Sequence, residues 1–289
     1  MKNLRQIIEQ IQTPGIEQTP SFNNLLWQLI CYSPKFLARL QQEQLLNEAE
    51  KFTLPVMDVH FAKKELQFNG FIWGNGKRKV LITHGWGSKA ADFTDIITRL
   101  KEVDDVQIIA FDAPGNGSSE GGLSNLLLFI QAVKAIVLKY GEPDVGIGHS
   151  LGAMGNVIAF TEMGITPRLL VSITPLTRLK ENFEASMNKF GVSKPAQTMF
   201  LKEFEELFND SASSFNMYNK YTFNARLNHW LAYDENDQIS PYSYIKEFLA
   251  EHPTIETKNY DGIGHDKIIK YPQFIEDLMA VVTESLSKY

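Results

Sequence analysis

Asp144-Val145-Gly146-Ile147-Gly148-His149-Ser150-Leu151-Gly152 is the stretch on which the fold of this chain turns. Residues 144–148 are short and mostly apolar, as a strand buried on both faces requires. Met154, Val157, Ile158 and Phe160 follow at helical spacing, so the strand passes directly into a helix. Ser150 stands at the corner. In G-x-S-x-G the serine occupies a strained strand-to-helix turn, and the flanking glycines leave room for the tight backbone. With Gly and Ser each at ~7% of residues, the bare pattern arises by chance in about one chain of this length in ten. The strand–turn–helix setting carries the reading.

The same alternation extends outward from this corner. Residues 80–83, 106–111, 169–173 and 229–232 read as further buried strands, and 255–260 as the last. Between them Phe93, Ile96, Ile97 and Leu100 mark one amphipathic helix, and Leu126, Ile130, Val133 and Val137 another, stopped by Gly141 and Pro143. Ile275, Leu278, Met279 and Val282 mark a last one. Strands alternating with helices predict an α/β fold: a mostly parallel twisted sheet with helices on both faces.

Two regions depart from the alternation. Residues 1–52 are polar and helix-rich, an amino-terminal helical extension that ends where Thr53-Leu54-Pro55 breaks the pattern. Residues 53–289 form the α/β domain, opening with antiparallel strands at 59–61, 66–68 and 71–73 and turns at Asn69-Gly70 and Gly74-Asn75-Gly76. The second departure is 176–225, far longer than a usual connection. It is helical, with Phe200, Phe204, Leu207 and Phe208 on one face, and reads as a lid insertion. Its phenylalanines either cover an apolar substrate or attach the lid to the core.

A serine hydroxyl is a poor nucleophile at neutral pH and needs a base, itself oriented by an acid. His265, in Gly262-Ile263-Gly264-His265-Asp266, follows the last strand and offers the base. Asp237, in the loop 234–241 after strand 229–232, offers the acid, with Asp234 as rival three residues earlier. Asp266 adjoins the base too closely in sequence to reach its ring. Loops at strand ends of an open α/β sheet share one crevice, so distant residues can meet there. Two amide donors are needed for an oxyanion. Leu151 at the helix start offers one, and Trp86 in His84-Gly85-Trp86-Gly87 the other. His84 and His149 flank these loops and read as structural.

The chain resembles the serine α/β-hydrolases, in their small esterase-like, bacterial-type branch. The resemblance rests on 84–87, on Phe111-Asp112-Ala113-Pro114-Gly115-Asn116-Gly117-Ser118, on 148–152, on 234–241 and on Gly264-His265, and it covers roughly residues 56–289. It implies the α/β-hydrolase fold, with Ser150 as nucleophile, Asp237 as acid and His265 as base in that family's chain order. It further implies hydrolysis of a carboxylic ester through an acyl-enzyme. The alternatives are an acyl-thioesterase or lysophospholipase-like lipase, or a non-catalytic ligand-binding relative. Serine at the nucleophile position argues against the dehalogenase and epoxide-hydrolase branches, which use aspartate. Asn116 stands where relatives often carry histidine, a change expected to matter little.

Composition narrows the partners. The 289 residues carry 28 basic and 34 acidic side chains, a net charge of -6, which provides no footprint for a nucleic-acid backbone. A lone cysteine, Cys31, excludes an internal disulfide framework, and no His/Asp/Glu spacing suggests a metal, so neither metal nor cofactor is expected. The opening residues are too polar for a secretory signal, and no apolar run spans a bilayer, which fits a cytoplasmic protein. Residues 22–40 hold an apolar stripe (Leu25, Leu26, Leu29, Ile30, Phe36, Leu37, Leu40) that reads as a helix packed on its own protein. Left unpacked, the stripe would serve a membrane surface or a homodimer. The remaining partner is a small-molecule ester or thioester.

Overall fold

The structure is a computed structural model and describes residues 2–287. Its strands are β1 (Glu50–Asp58), β2 (Lys64–Trp73), β3 (Arg78–Thr83), β4 (Val106–Phe111), β5 (Val145–His149), β6 (Leu169–Ile173), β7 (Asn228–Tyr233) and β8 (Glu256–Asn259). They form one sheet in the order β1-β2-β4-β3-β5-β6-β7-β8. β2 runs antiparallel to β1 and β4, and every later pairing is parallel. The central parallel strands are mostly apolar because both faces are covered: Leu81 enters one core, while Val80 and Ile82 enter the other.

Helices α1 (Lys2–Ile11) and α2 (Phe22–Cys31) precede the sheet, as does α3 (Leu40–Glu48). α4 (Thr94–Leu100), α5 (Leu126–Tyr140) and α6 (Leu151–Met163) connect its middle strands. The insertion between β6 and β7 folds as α7 (Leu179–Lys189), α8 (Lys194–Phe208) and α9 (Met217–Lys220), and α10 (Tyr242–Glu251) and α11 (Pro272–Ser287) complete the chain. Residues of α3, α4 and α11 build the core on one face. On the other face α1, α2, α5, α6, α10 and the insertion share a second core. The chain leaves β3 toward β4 and returns past it to β5, so the carboxyl ends of β3 and β5 border a topological switch point, with Thr83 beside Gly148.

Four local expectations are corrected. β1 begins at Glu50 and runs through Thr53-Leu54-Pro55; Pro55 is tolerated because β1 is an edge strand. Residues 59–61 are a turn, held by Asp58, whose carboxylate accepts from the amides of His60, Phe61 and Ala62. Asn69-Gly70 lies inside β2, not at a turn. Gly70 pairs with Phe52, whose ring passes 2.0 Å from where a Cβ would sit, so the glycine is a seat for that ring. Finally, the stripe at 22–40 is helical only to Cys31: Phe22, Leu26, Trp27 and Leu29 are buried, whereas Phe36, Leu37 and Leu40 are 50%, 94% and 71% exposed. Among the described residues no helix is long and apolar enough to cross a membrane.

Two outcomes follow from this packing. Gly70→Val should cost about 1–3 kcal/mol in urea denaturation by displacing the Phe52 ring, and adding Phe52→Ala should recover part of the loss; additive effects would show that the ring does not depend on the glycine. His229 of β7 is buried between Ser172 Oγ (2.9 Å) and Tyr221 Oη (3.1 Å). Burial, aided by His252, pushes its pKa down to about 3 from the usual 6.5. The unfolded chain therefore takes up a proton that the native one refuses, and stability falls as pH drops from 6.5 toward 3. His229→Gln should flatten that slope by about 1.4 kcal/mol per pH unit, read from denaturation midpoints across the window.

Candidate active site

β5 delivers the chain to Ser150 at φ 52° and ψ −120°, a backbone conformation that costs an L-residue about 1–3 kcal/mol. The surrounding contacts hold it there. The Ser150 amide donates to Ile173 O (3.0 Å), and its carbonyl accepts from Leu176 N and Ala153 N (both 3.1 Å). The two glycines are required by close approach rather than by flexibility. A Cβ on Gly148 would sit 2.5 Å from Ala153 Cα, and one on Gly152 would sit 2.2 Å from His84 O. The corner thus clamps α6 against the ends of β3 and β5 and lifts the hydroxyl into a cleft, where Ser150 remains 8% exposed.

Loops from β7 and β8 bring the other two groups to it. His265 Nε2 lies 2.8 Å from Ser150 Oγ, and His265 Nδ1 lies 2.6 Å from Asp237 Oδ2. The second carboxylate oxygen of Asp237 accepts from the amides of Ile239 (2.7 Å) and Ser240 (3.1 Å). Burial raises the Asp237 pKa, but the hydrogen bond and charge of His265 and these two amides outweigh it and hold the carboxyl below its ordinary value. Asp234 faces elsewhere: it accepts from the amides of Asn236 and Gly262 (2.8 and 3.2 Å) and of Gly264 (2.6 Å). The rival acid shapes the loop that carries His265, a role that neighbouring aspartates in one loop do not betray in sequence.

The two flanking histidines are neutral and anchor backbone. His84 Nε2 accepts from the Ala113 amide (2.9 Å), which leaves Nδ1 to donate to Gly85 O (2.6 Å). His149 Nε2 donates to His265 O (3.0 Å). Burial, reinforced by the neighbouring His265 ring 5.0 Å away, pushes the His149 pKa down to about 3. Asn116 is the residue that sequence reasoning undervalued. Its Oδ1 accepts from the Gly87 amide (3.1 Å) and from Ser33 Oγ (2.5 Å), while Nδ2 donates to Pro114 O (3.2 Å) and Ser124 Oγ (2.8 Å). It therefore ties the Trp86–Gly87 turn to the segment after α2. Among the described residues, the backbone amides of Trp86 and Leu151 have no hydrogen-bond acceptor.

His149, His265 and Asp266 form a trio whose ligand atoms lie within 4.8 Å of one another among the described residues. Both ring nitrogens of His265 already serve Ser150 and Asp237, so a cation there would have to break that chain. A second serine–histidine pair, Ser172 and His229, has comparable spacing (2.9 Å). Both residues are sealed from solvent, with Tyr221 on the far ring nitrogen, so the pair packs and does not react. Cys31 is likewise buried, and burial pushes its thiol far above the usual range.

Comparison with known proteins matches this arrangement at the level of fold. An esterase from Pyrococcus furiosus is 18% identical, with 90% of this chain and 98% of that one aligned at a TM-score of 0.61. Est1E from Butyrivibrio proteoclasticus, solved with ferulic acid bound, is 18% identical over 76% of this chain and 94% of that one, with a TM-score of 0.55. The haloalkane dehalogenase DatA from Agrobacterium tumefaciens C58 is 13% identical over 83% of this chain and 98% of that one, with a TM-score of 0.61. A comparison with curated protein sequences finds no match. The model of the alpha/beta hydrolase family matches residues 80–273, which hold β3, the Ser150 corner, the insertion and the Asp237 and His265 loops, and the chain belongs to that family.

Proposed function

We propose that this hydrolase cleaves carboxylic esters through an acyl-enzyme on Ser150. The observation that carries the reading is the continuous chain Ser150–His265–Asp237, at 2.8 and 2.6 Å. In the first half-reaction Ser150 Oγ attacks the acyl carbon while His265 Nε2 takes the hydroxyl proton. Asp237 holds Nδ1–H, fixes the tautomer and stabilises the imidazolium; its lowered pKa keeps it a carboxylate throughout. The developing oxyanion is met by the free amides of Trp86 and Leu151, the latter at the amino terminus of α6. His265 returns the proton to the leaving alkoxide, and the alcohol departs. Water, deprotonated by the same imidazole, then releases the carboxylic acid.

The supporting roles follow from the contacts. His149 and Asp234 hold the backbone on either side of His265, and neutrality suits His149, since a second cation beside the imidazolium would oppose proton transfer. Asn116 holds the turn that aims the Trp86 amide. Serine at the corner separates this chemistry from that of the dehalogenase that shares the fold, a branch in which aspartate attacks.

Treatment of native protein with a fluorophosphonate should add one adduct by intact mass, and Ser150→Ala should add none. An unlabelled wild type, or a labelled mutant, would remove the serine mechanism. Asp237→Asn should lower kcat on an activated ester by roughly 10³–10⁴ by favouring the wrong imidazole tautomer, and Asp234→Asn should cost far less; equal losses would contradict the division of labour between them. Asn116→Ala should lower kcat by about 10–100-fold through misplacement of one oxyanion donor, with the fold intact by circular dichroism.

A further inference from the structure

A cavity of about 730 Å³ opens beside Ser150 and His265. Residues after the serine, after β6 and after β3 (Leu151, Leu176, Trp86) line it near the reacting atoms, and the insertion adds Phe183, Phe204, Phe208 and Phe215. Another wall comes from the amino-terminal extension: Trp27, Leu29 and Ile30 of α2, with Pro34 and Phe36 just beyond. The α7 wall is more polar, with Asn182 and Ser186. An acetyl group needs a small part of this space. An apolar chain entering from Ser150 loses least by following α2 and α8, away from the unpaired polar groups of α7.

Trp27 is held on that path more firmly than packing alone requires. Its indole lies 4.6 Å from the Phe200 ring, 6.0 Å from Phe204 and 5.9 Å from Phe208, all on α8, and 5.4 Å from Phe61 in the turn after β1. Its Nε1–H donates to Glu203 Oε1 of α8 (2.7 Å), and the other oxygen of that carboxylate accepts from Asn23 Nδ2, one turn earlier on α2. A carboxylate spent on two neutral donors of one helix fixes both the rotamer of the indole and the spacing of α2 from α8. Trp27 is 5% exposed and has no freedom to swing aside.

We propose that α2 is a wall of the substrate cavity and that Trp27 closes its far end, setting the length of linear acyl chain that the hydrolase accepts. The proposal rests on the ester-hydrolase reading above and extends it to a class of substrate, the esters of linear fatty acids. Glu203 acts as a positioning residue for the stop, and the amino-terminal extension becomes part of the specificity machinery.

The test measures binding, so it needs no turnover. Dissociation constants for free linear fatty acids, from butyrate to palmitate, are measured by calorimetry on the Ser150→Ala protein. Affinity should rise roughly fourfold per methylene until the chain meets Trp27, and then level off. Trp27→Ala should move the plateau to longer chains, Trp27→Phe should move it less, and Ile30→Trp, which grows into the cavity from the same helix, should move it to shorter ones. Should Trp27→Ala fail to fold, the other two variants decide. A plateau that stays in place, a uniform loss at every length, or no binding of any acid overturns the proposal. Plateau shifts in a protein whose wild type neither labels with fluorophosphonate nor cleaves esters would sustain the chain-length stop and sink the hydrolase reading; ester cleavage without plateau shifts would do the reverse.

Discussion

The first turn of α6 has to pass against the end of β3 with almost no space between them. Gly152 meets the carbonyls of Thr83 and His84 at distances that no Cβ could share, and Gly148 meets the backbone of Ala153 in the same way. Everything in the cleft depends on that approach. It forces Ser150 into the positive-φ corner and sets the serine at the switch point, next to the end of β3 from which the Trp86 turn departs. The strain at Ser150 is borne by hydrogen bonds to β6 and to the loop after it, Ile173 O and Leu176 N. The corner is therefore a consequence of how tightly three parallel strands and one helix pack, and a bulkier residue at either glycine would open all of them together.

Around the corner, charge is kept on few groups. Three histidines lie within reach of the cleft, yet burial lowers the pKa of His84 and His149; His84 spends both ring nitrogens on backbone, and His149 spends its Nε2 there. Asp237 keeps its charge because two amides and the His265 ring face it. Neutral His84 and His149 leave Asp237 as the carboxylate hydrogen-bonded to the His265 ring. That is the condition under which a carboxylate can orient a base without competing partners pulling the ring away.

Legibility in the sequence followed the locality of the signal. The Ser150 corner, the α5 stop at Gly141 and the apolar runs of β3 to β7 are specified by a few adjacent residues, and all could be read directly. Gly70 misled because Asn-Gly is a turn signal wherever no partner strand supplies a ring; Phe52, eighteen positions earlier, supplies one here. Pro55 misled because its compatibility with a strand depends on being at the sheet edge, which is a property of topology. Asp234 and Asp237 share a loop and a composition, and only the path of the His265 loop decides which carboxylate meets the ring. Asn116 offered little local signal, since two of its four partners, Ser33 and Gly87, lie far off in the chain.

Those partners also bear on why the amino-terminal helices are present. A helical pair that merely decorated the sheet would be expected to bury an apolar face and leave its polar groups to water. Here Ser33 reaches Asn116 beside the Trp86 turn, Lys35 donates to Ser119 O, and Trp27 and Asn23 reach Glu203 on the insertion. Each of these bonds joins the extension to a segment that borders the cleft, and each involves a polar group that would otherwise have to be satisfied by solvent in a partly buried place. The extension is consequently bound to the segment after β4, whose Asn116 holds the turn after β3, and to α8. Motion of the insertion away from the cleft would have to break the Glu203 bonds or carry α2 with it, so the two elements wall the cavity as one unit.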